Sequence, residues 1–257
     1  MRVLGCWFWG VCLAISAFGC GESGGGAGGM AGTGGMAGTG GAAGTGGSGG
    51  IIGPTATVSG TVGDGDDGSF MPVEGATVSV LGTSISATTG VAGSWSLEAP
   101  EGEVYFQASA SGSWSSIVRR VVPAEGFTDV ELEVIPDALV ADIGLALGRT
   151  VDEAKGIAAL ECDTVGPVDG QSATLDEDAD FSFAFDGAGD PQVSTTLISG
   201  GDNQLIFVGV ELTEALTVTP EGSSGGEFCS VRFRATPPIL AKSITEVEVS
   251  CMLVVAP

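Results

Sequence analysis

Val58-Ser-Gly-Thr-Val62, Ser94-Trp-Ser-Leu97, Val104-Tyr-Phe-Gln-Ala108 and Asp129-Val-Glu-Leu-Glu-Val134 switch between core-type and polar side chains at every step. A period of two is that of a β-strand with one buried face. Gly63, Gly82, Gly90, Pro100, Gly112 and Pro123 punctuate the gaps. Short alternating segments with a turn signal about every ten residues predict an antiparallel β-sandwich over residues 55–136.

Three motifs in this stretch carry a resemblance. Val58-Ser-Gly-Thr-Val62, Pro72-Val-Glu-Gly-Ala-Thr-Val-Ser-Val80 and Thr88-Thr-Gly-Val-Ala-Gly-Ser-Trp-Ser-Leu97 resemble the carboxypeptidase regulatory-like domain. The resemblance implies a transthyretin-like, seven-stranded sandwich. Thr89 stands where that family carries an Asp in its hairpin, and Trp95 where it carries a Phe. Such modules accompany enzymes and surface proteins without performing chemistry, so the resemblance speaks to fold alone.

Residues 137–150 break the alternation. Pro136-Asp137 opens, and Gly148 closes, a run with the apolar spacing of a short helix. Residues 155–257 read as a second, divergent copy. Pro167-Val-Asp-Gly170 echoes Pro72-Val-Glu-Gly75, and Ala173-Thr-Leu175 echoes Ala76-Thr-Val78. Further strands are expected near 193–198, 204–210, 215–219, 228–235 and 245–254. The expected fold is all-β: two tandem seven-stranded transthyretin-like or Ig-like β-sandwiches joined by a short helical connector, after a disordered Gly-rich tether. The expected segments are a signal peptide over 1–19 and a lipidated cysteine with its linker over 20–54. The first sandwich follows over 55–136, the connector over 137–154 and the second sandwich over 155–257.

The N-terminus predicts where the chain works. Arg2 precedes an apolar run, Val3–Phe18, which is followed by Gly19-Cys20. The run is shorter than the roughly 20 residues of a membrane-spanning helix. It reads as an export signal of the bacterial lipoprotein kind, with Cys20 becoming the lipidated first residue. Ala17 and Phe18 depart from the usual residues before such a cysteine, so secretion after cleavage near Ser16 or Gly19 is the competing reading. Residues 30–47 then repeat Met-Ala-Gly-Thr-Gly-Gly almost three times, the last copy starting with Ala42. So glycine-rich a segment cannot bury enough apolar surface to offset its ordering entropy. As a flexible coil, residues 21–53 would have an r.m.s. span of roughly 30 Å.

Composition excludes several functions. The net charge is −24, and neither half is basic: residues 55–136 hold eleven acids against two bases, and residues 137–257 twenty against five. A nucleic-acid partner needs a basic footprint, and this chain has none. Without a single histidine, Ser-His-Asp and Cys-His catalysis and His-containing metal sites are ruled out. No catalytic, metal or cofactor site is expected. The acidic turns Asp64-Gly-Asp-Asp-Gly68 and Asp176-Glu-Asp-Ala-Asp180 are cation-loop candidates, with solvated turns as the preferred reading. Trp95, Trp114 and Tyr105 are the aromatics considered for sugar stacking, with core packing preferred for both tryptophans.

Cys6 and Cys12 leave with the signal. Cys162, Cys229 and Cys251 all have core parity in their strands. An exported chain meets an oxidising compartment, where a disulfide is expected. A hairpin centred near Leu240 would set Cys229 opposite Cys251, Val231 opposite Val249 and Phe233 opposite Val247. That register favours Cys229–Cys251, while a pairing of Cys162 with either partner, or no bond at all, stays open. The chain is therefore expected to be a non-enzymatic, lipid-anchored protein of the bacterial envelope, on the outer membrane or cell surface. Its expected partners are the membrane, through the lipid, and an envelope protein or glycan not identified by sequence. Glycan-binding and calcium-stabilised adhesion modules are the alternatives.

Overall fold

The computed structural model describes residues 53–65, 70–164, 170–198, 200–222, 227–232 and 236–253. Cys20, the signal segment and the hexapeptide repeat lie outside these residues, as do most of the Pro167–Gly170 motif, Phe233 and Arg234. No helix among the described residues is long and apolar enough to cross a membrane.

The first half contains β1 (Thr55–Asp64), β2 (Met71–Pro72), β3 (Thr77–Val80), β4 (Ser86–Thr88), β5 (Ser94–Pro100), β6 (Gly102–Ser109), β7 (Ser113–Val122) and β8 (Phe127–Pro136). One layer runs β4-β3-β6-β7, and β1 joins β2, β5 and β8 in the other. Val58, Val62, Val78, Val80, Trp95, Leu97, Phe106, Val118, Leu132 and Val134 fill the space between the layers. These are the apolar positions of the two-residue period; β7 and the end of β8 also bury residues of the other parity, Ile117 and Ile135. Gly60 serves a close approach: a Cβ there would run into the carbonyl of Val130 on β8. Thr89, at the position where the resembled family has Asp, is buried. Its hydroxyl accepts the amide of Ala76 at 2.9 Å and donates to the carbonyl of Val73 at 2.6 Å.

Helix α1 (Asp137–Ala146) follows directly on β8. Asp137 sits in its first turn, the stabilising end for a negative charge. Gly148, at φ +66°, ends it just past the last turn.

The second half contains β9 (Gly156–Thr164), β10 (Ser172–Leu175), β11 (Phe181–Phe185), β12 (Pro191–Val193), β13 (Gln204–Val210), β14 (Val218–Glu221), β15 (Glu227–Val231) and β16 (Ser243–Leu253). The strand expected over 193–198 is the short β12 followed by an isolated bridge at Thr196, and the one expected over 215–219 starts later, at Val218. The all-β sandwich class is observed, but the second half does not repeat the layering of the first. Its large sheet runs β12-β11-β13-β9-β16, and a two-stranded sheet, β10-β14, lies apart from it. The large sheet is buried on both faces. Ala158, Leu160, Leu205 and Val210 belong to one core, which also holds Ala173 of β10 and Val218 of β14. Ile157, Ala159, Ile206 and Val208 belong to another, which also holds Leu139 and Val140 of α1 with Trp114 and Ile135 of the first half.

The halves also share backbone. β16 runs parallel to β9 from Ile244 to Cys251 and parallel to β7 from Ser243 to Thr245. A single hydrogen-bonded path, β12-β11-β13-β9-β16-β7-β6-β3-β4, therefore crosses from one half to the other. Two short end strands, β12 and β4, close that path, limiting the edge open to further pairing.

Thr89→Val keeps the shape and removes both side-chain bonds, leaving the Ala76 amide without that partner. The expected loss is about 1–3 kcal/mol, read from the urea midpoint at constant slope. An unchanged midpoint would remove Thr89 from the account of this hairpin.

Candidate functional site

The cysteines come together in the second core. β15 and β16 pair antiparallel, with Cys229 opposite Cys251 and Val231 opposite Val249. A disulfide joins Cys229 to Cys251. Cys162, on β9 opposite Val249, is a buried free thiol in the same core. Burial, then the charge of Glu161, pushes its thiol up to about 11. A thiol so raised stays protonated near neutral pH and is a poor nucleophile.

The acidic turns are engaged within the fold. Asp176 Oδ1 accepts the amide of Thr217 at 2.7 Å, and bonds from Thr217 lower its carboxyl. Asp180 Oδ1 accepts Lys155 Nζ at 2.8 Å. Asp66–Gly68 of the first acidic turn lie outside the described residues. No group of three or more Cys, Asp and Glu suited to a metal ion occurs among the described residues.

Both tryptophans are in the core. Trp95 packs against Phe106 with ring centroids 5.8 Å apart, and Trp114 packs between the halves. Tyr105 is partly exposed, and burial followed by the charge of Glu103 raises its phenol to about 12.

Two charged arrangements were not legible from sequence. The chain's only lysines sit side by side at the seam, where the Lys242 amide donates to the Lys155 carbonyl at 2.9 Å. Lys155 Nζ bridges Asp180 and Glu211 at 2.8 and 2.9 Å. Lys242 Nζ bridges Asp137 and Glu153 at 2.8 and 3.2 Å. Bonds to these carboxylates raise both amines above their usual range, so both remain cationic. The second arrangement surrounds Glu246 on β16. Two-residue parity assigns Glu246 and Glu248 to a wet face, yet Glu246 is only partly exposed. Arg119, Arg120 and Tyr105 line a cavity of about 20 Å³ with it. Two arginines offset acids: Arg119 Nε lies 2.6 Å from Glu103 and Arg232 Nη1 3.5 Å from Glu248.

A third feature is an open groove of about 280 Å³ between α1 and residues 149–153, with Trp114, Leu145 and Arg149 among its lining. Its acids, Asp137 and Glu153, are those already held by Lys242.

No protein-family model and no curated relative matches this chain. Among solved structures, the Bacillus anthracis TIE protein aligns with 77% of this chain at 11% identity and a TM-score of 0.28. The chain spans 34% of that protein's length. The shaft pilin SpaA of Lactobacillus rhamnosus GG aligns with 79% of this chain over 100% of its own, at 10% identity and a TM-score of 0.25. The major pilin protein T-13 of Streptococcus pyogenes covers 78% of this chain and 97% of its own, at 9% identity and a TM-score of 0.20. None of these likenesses transfers a role to this chain.

The disulfide closes a span of 22 residues. Replacing Cys229 and Cys251 together by Ser should cost about 3 kcal/mol in the chain-entropy model. Iodoacetamide should leave Cys162 unlabelled in the native chain near pH 8 and label it after denaturation. Rapid native labelling at Cys162, or a Cys162-containing disulfide in non-reducing peptide maps, would contradict this arrangement.

Proposed function

We propose that this chain is an exported, non-enzymatic, lipid-anchored spacer or interaction module of the bacterial cell envelope. In this reading Cys20 carries the lipid and residues 21–54 form the tether. The β body is what the tether presents, at the outer membrane or cell surface. The observation that carries the reading is β16, which hydrogen-bonds to both β7 and β9 and joins the two halves through one continuous sheet path. A Gly-rich tether ending in a continuous β body suits spacing or presentation. The acidity supports it further, because an acidic surface stays dispersed and is repelled by anionic headgroups.

The glycan-binding alternative needs exposed rings, and Trp95 and Trp114 are both buried. The calcium alternative needs free loop carboxylates, and Asp176 and Asp180 already serve Thr217 and Lys155. No observation favours either over the spacer reading.

Cys20→Ala in the full chain tests the anchoring. A single acyl chain binds membranes marginally, whereas a multiply acylated N-terminus holds firmly. The variant should lose incorporation of labelled palmitate and leave the membrane fraction, or accumulate unprocessed. A variant that is processed normally and sediments with membranes like the parent would contradict the proposal.

A further inference from the structure

The sheet branches along one edge of β16. Ser243–Thr245 pair with β7, and Glu227–Val231 of β15 pair with Val249–Leu253. Glu246 lies between these two ladders, while the other edge of β16 is taken by β9. The cavity at the branch is walled by Tyr105 of β6, Arg119 and Arg120 of β7, Val231 of β15, and Glu246 and Glu248 of β16.

We propose that Glu246 is a proton-operated latch at this branch: its neutral carboxyl lets β7 and β15 close on β16, and its ionisation loosens the branch.

The facing groups explain why charge is unwelcome there. Arg120 is the cation that favours the carboxylate, and Glu161 on β9, Glu133 on β8 and Glu248 on β16 itself oppose it. Arg120 Nη1 also donates to the Arg119 carbonyl at 2.8 Å. Arg119 is held by Glu103 of β6, and Arg232, just after β15, pairs with Glu248. Tyr105 stays neutral through the physiological range because its phenol is raised to about 12. Arg234 lies outside the described residues. Of the charges that act on Glu246, one cation, Arg120, is set against three carboxylates. Burial is the largest cause and raises the Glu246 carboxyl from 4.5 to about 8, with the three glutamates adding to it.

The sign follows from linkage. An acid whose value is higher in the folded chain than in the unfolded one binds more protons when folded. Its stabilising contribution is complete below 4.5 and is lost as pH rises to about 8. Across that window the folding equilibrium constant should fall by up to about tenfold per pH unit from this group. Asp176 and Asp186, whose carboxyls are lowered by hydrogen bonds, act oppositely and at lower pH, so comparison with a variant is needed to isolate Glu246.

The test is thermal melting of the full chain and of Glu246→Gln from about pH 4.5 to about pH 9. The two should melt nearly alike at the acid end, and the variant should melt higher at the alkaline end. A constant offset across the range would overturn the proposal. Arg120→Gln removes the cation that favours ionisation, so the upper end of the pH window should move upward and the total loss of stability across it should grow, and an unmoved upper end would also overturn it. Should Glu246→Gln fail to fold, hydrogen exchange of the parent chain decides, after correction for intrinsic rates. Protection over 243–251 should fall between about pH 6 and about pH 9. Equal protection of 243–251 at both ends would refute the latch.

Discussion

The backbone pairing that joins the two halves of this fold is the parallel seating of β16 between β7 and β9. The ladder with β9 is eight residues long and the ladder with β7 only three. The shorter one is reinforced at its start, where the Ser115 amide donates to the Lys242 carbonyl at 3.1 Å. Ser243 and Thr245 are both fully buried there, and each side chain bonds a nearby carbonyl, Ser243 to Leu240 at 2.7 Å and Thr245 to Pro238 at 2.8 Å. Buried hydroxyls so satisfied cost little. The third core lies on the same seam, so apolar packing and backbone pairing hold the same joint.

Charge is distributed to suit that joint. A chain of net charge −24 has two lysines, and both stand at the seam, each between two carboxylates. These pairs are largely exposed, so each contributes modestly in water. Their value is positional: Lys242 ties the first turn of α1 and residue 153 to the turn before β16, and Lys155 ties the start of β9 to the segments around β11 and β13. Glu246 is the contrary case, an acid placed where the surrounding carboxylates and burial oppose its charge.

The first half was legible in the sequence because most of its strands bury one face. Val58, Trp95, Phe106 and Leu132 sit where a two-residue period puts them. The second half was legible only as strands. Ile157-Ala-Ala-Leu160 and Leu205-Ile-Phe-Val208 are continuously apolar because alternate residues enter different cores on opposite faces. Such runs do not say which layer covers which face, and so the cover by α1 could not be read. The contact of Thr245 with Ile117 is too distant in sequence for any turn to signal it. The Cys229–Cys251 pair was legible because one hairpin register matched Val231 with Val249 as well. The lysine bridges and the surroundings of Glu246 were not, since they depend on non-local pairing that parity does not encode.

The central claim is that the two halves form one cooperative body through β16. Native-state hydrogen exchange of the full chain tests it most directly. Amides of Val58–Val62 in the first core and of Ala158–Leu160 in the second should exchange through the same global opening, with equal free energies and equal denaturant dependence. If one set remains protected under conditions where the other has exchanged, the halves open independently and the claim is contradicted.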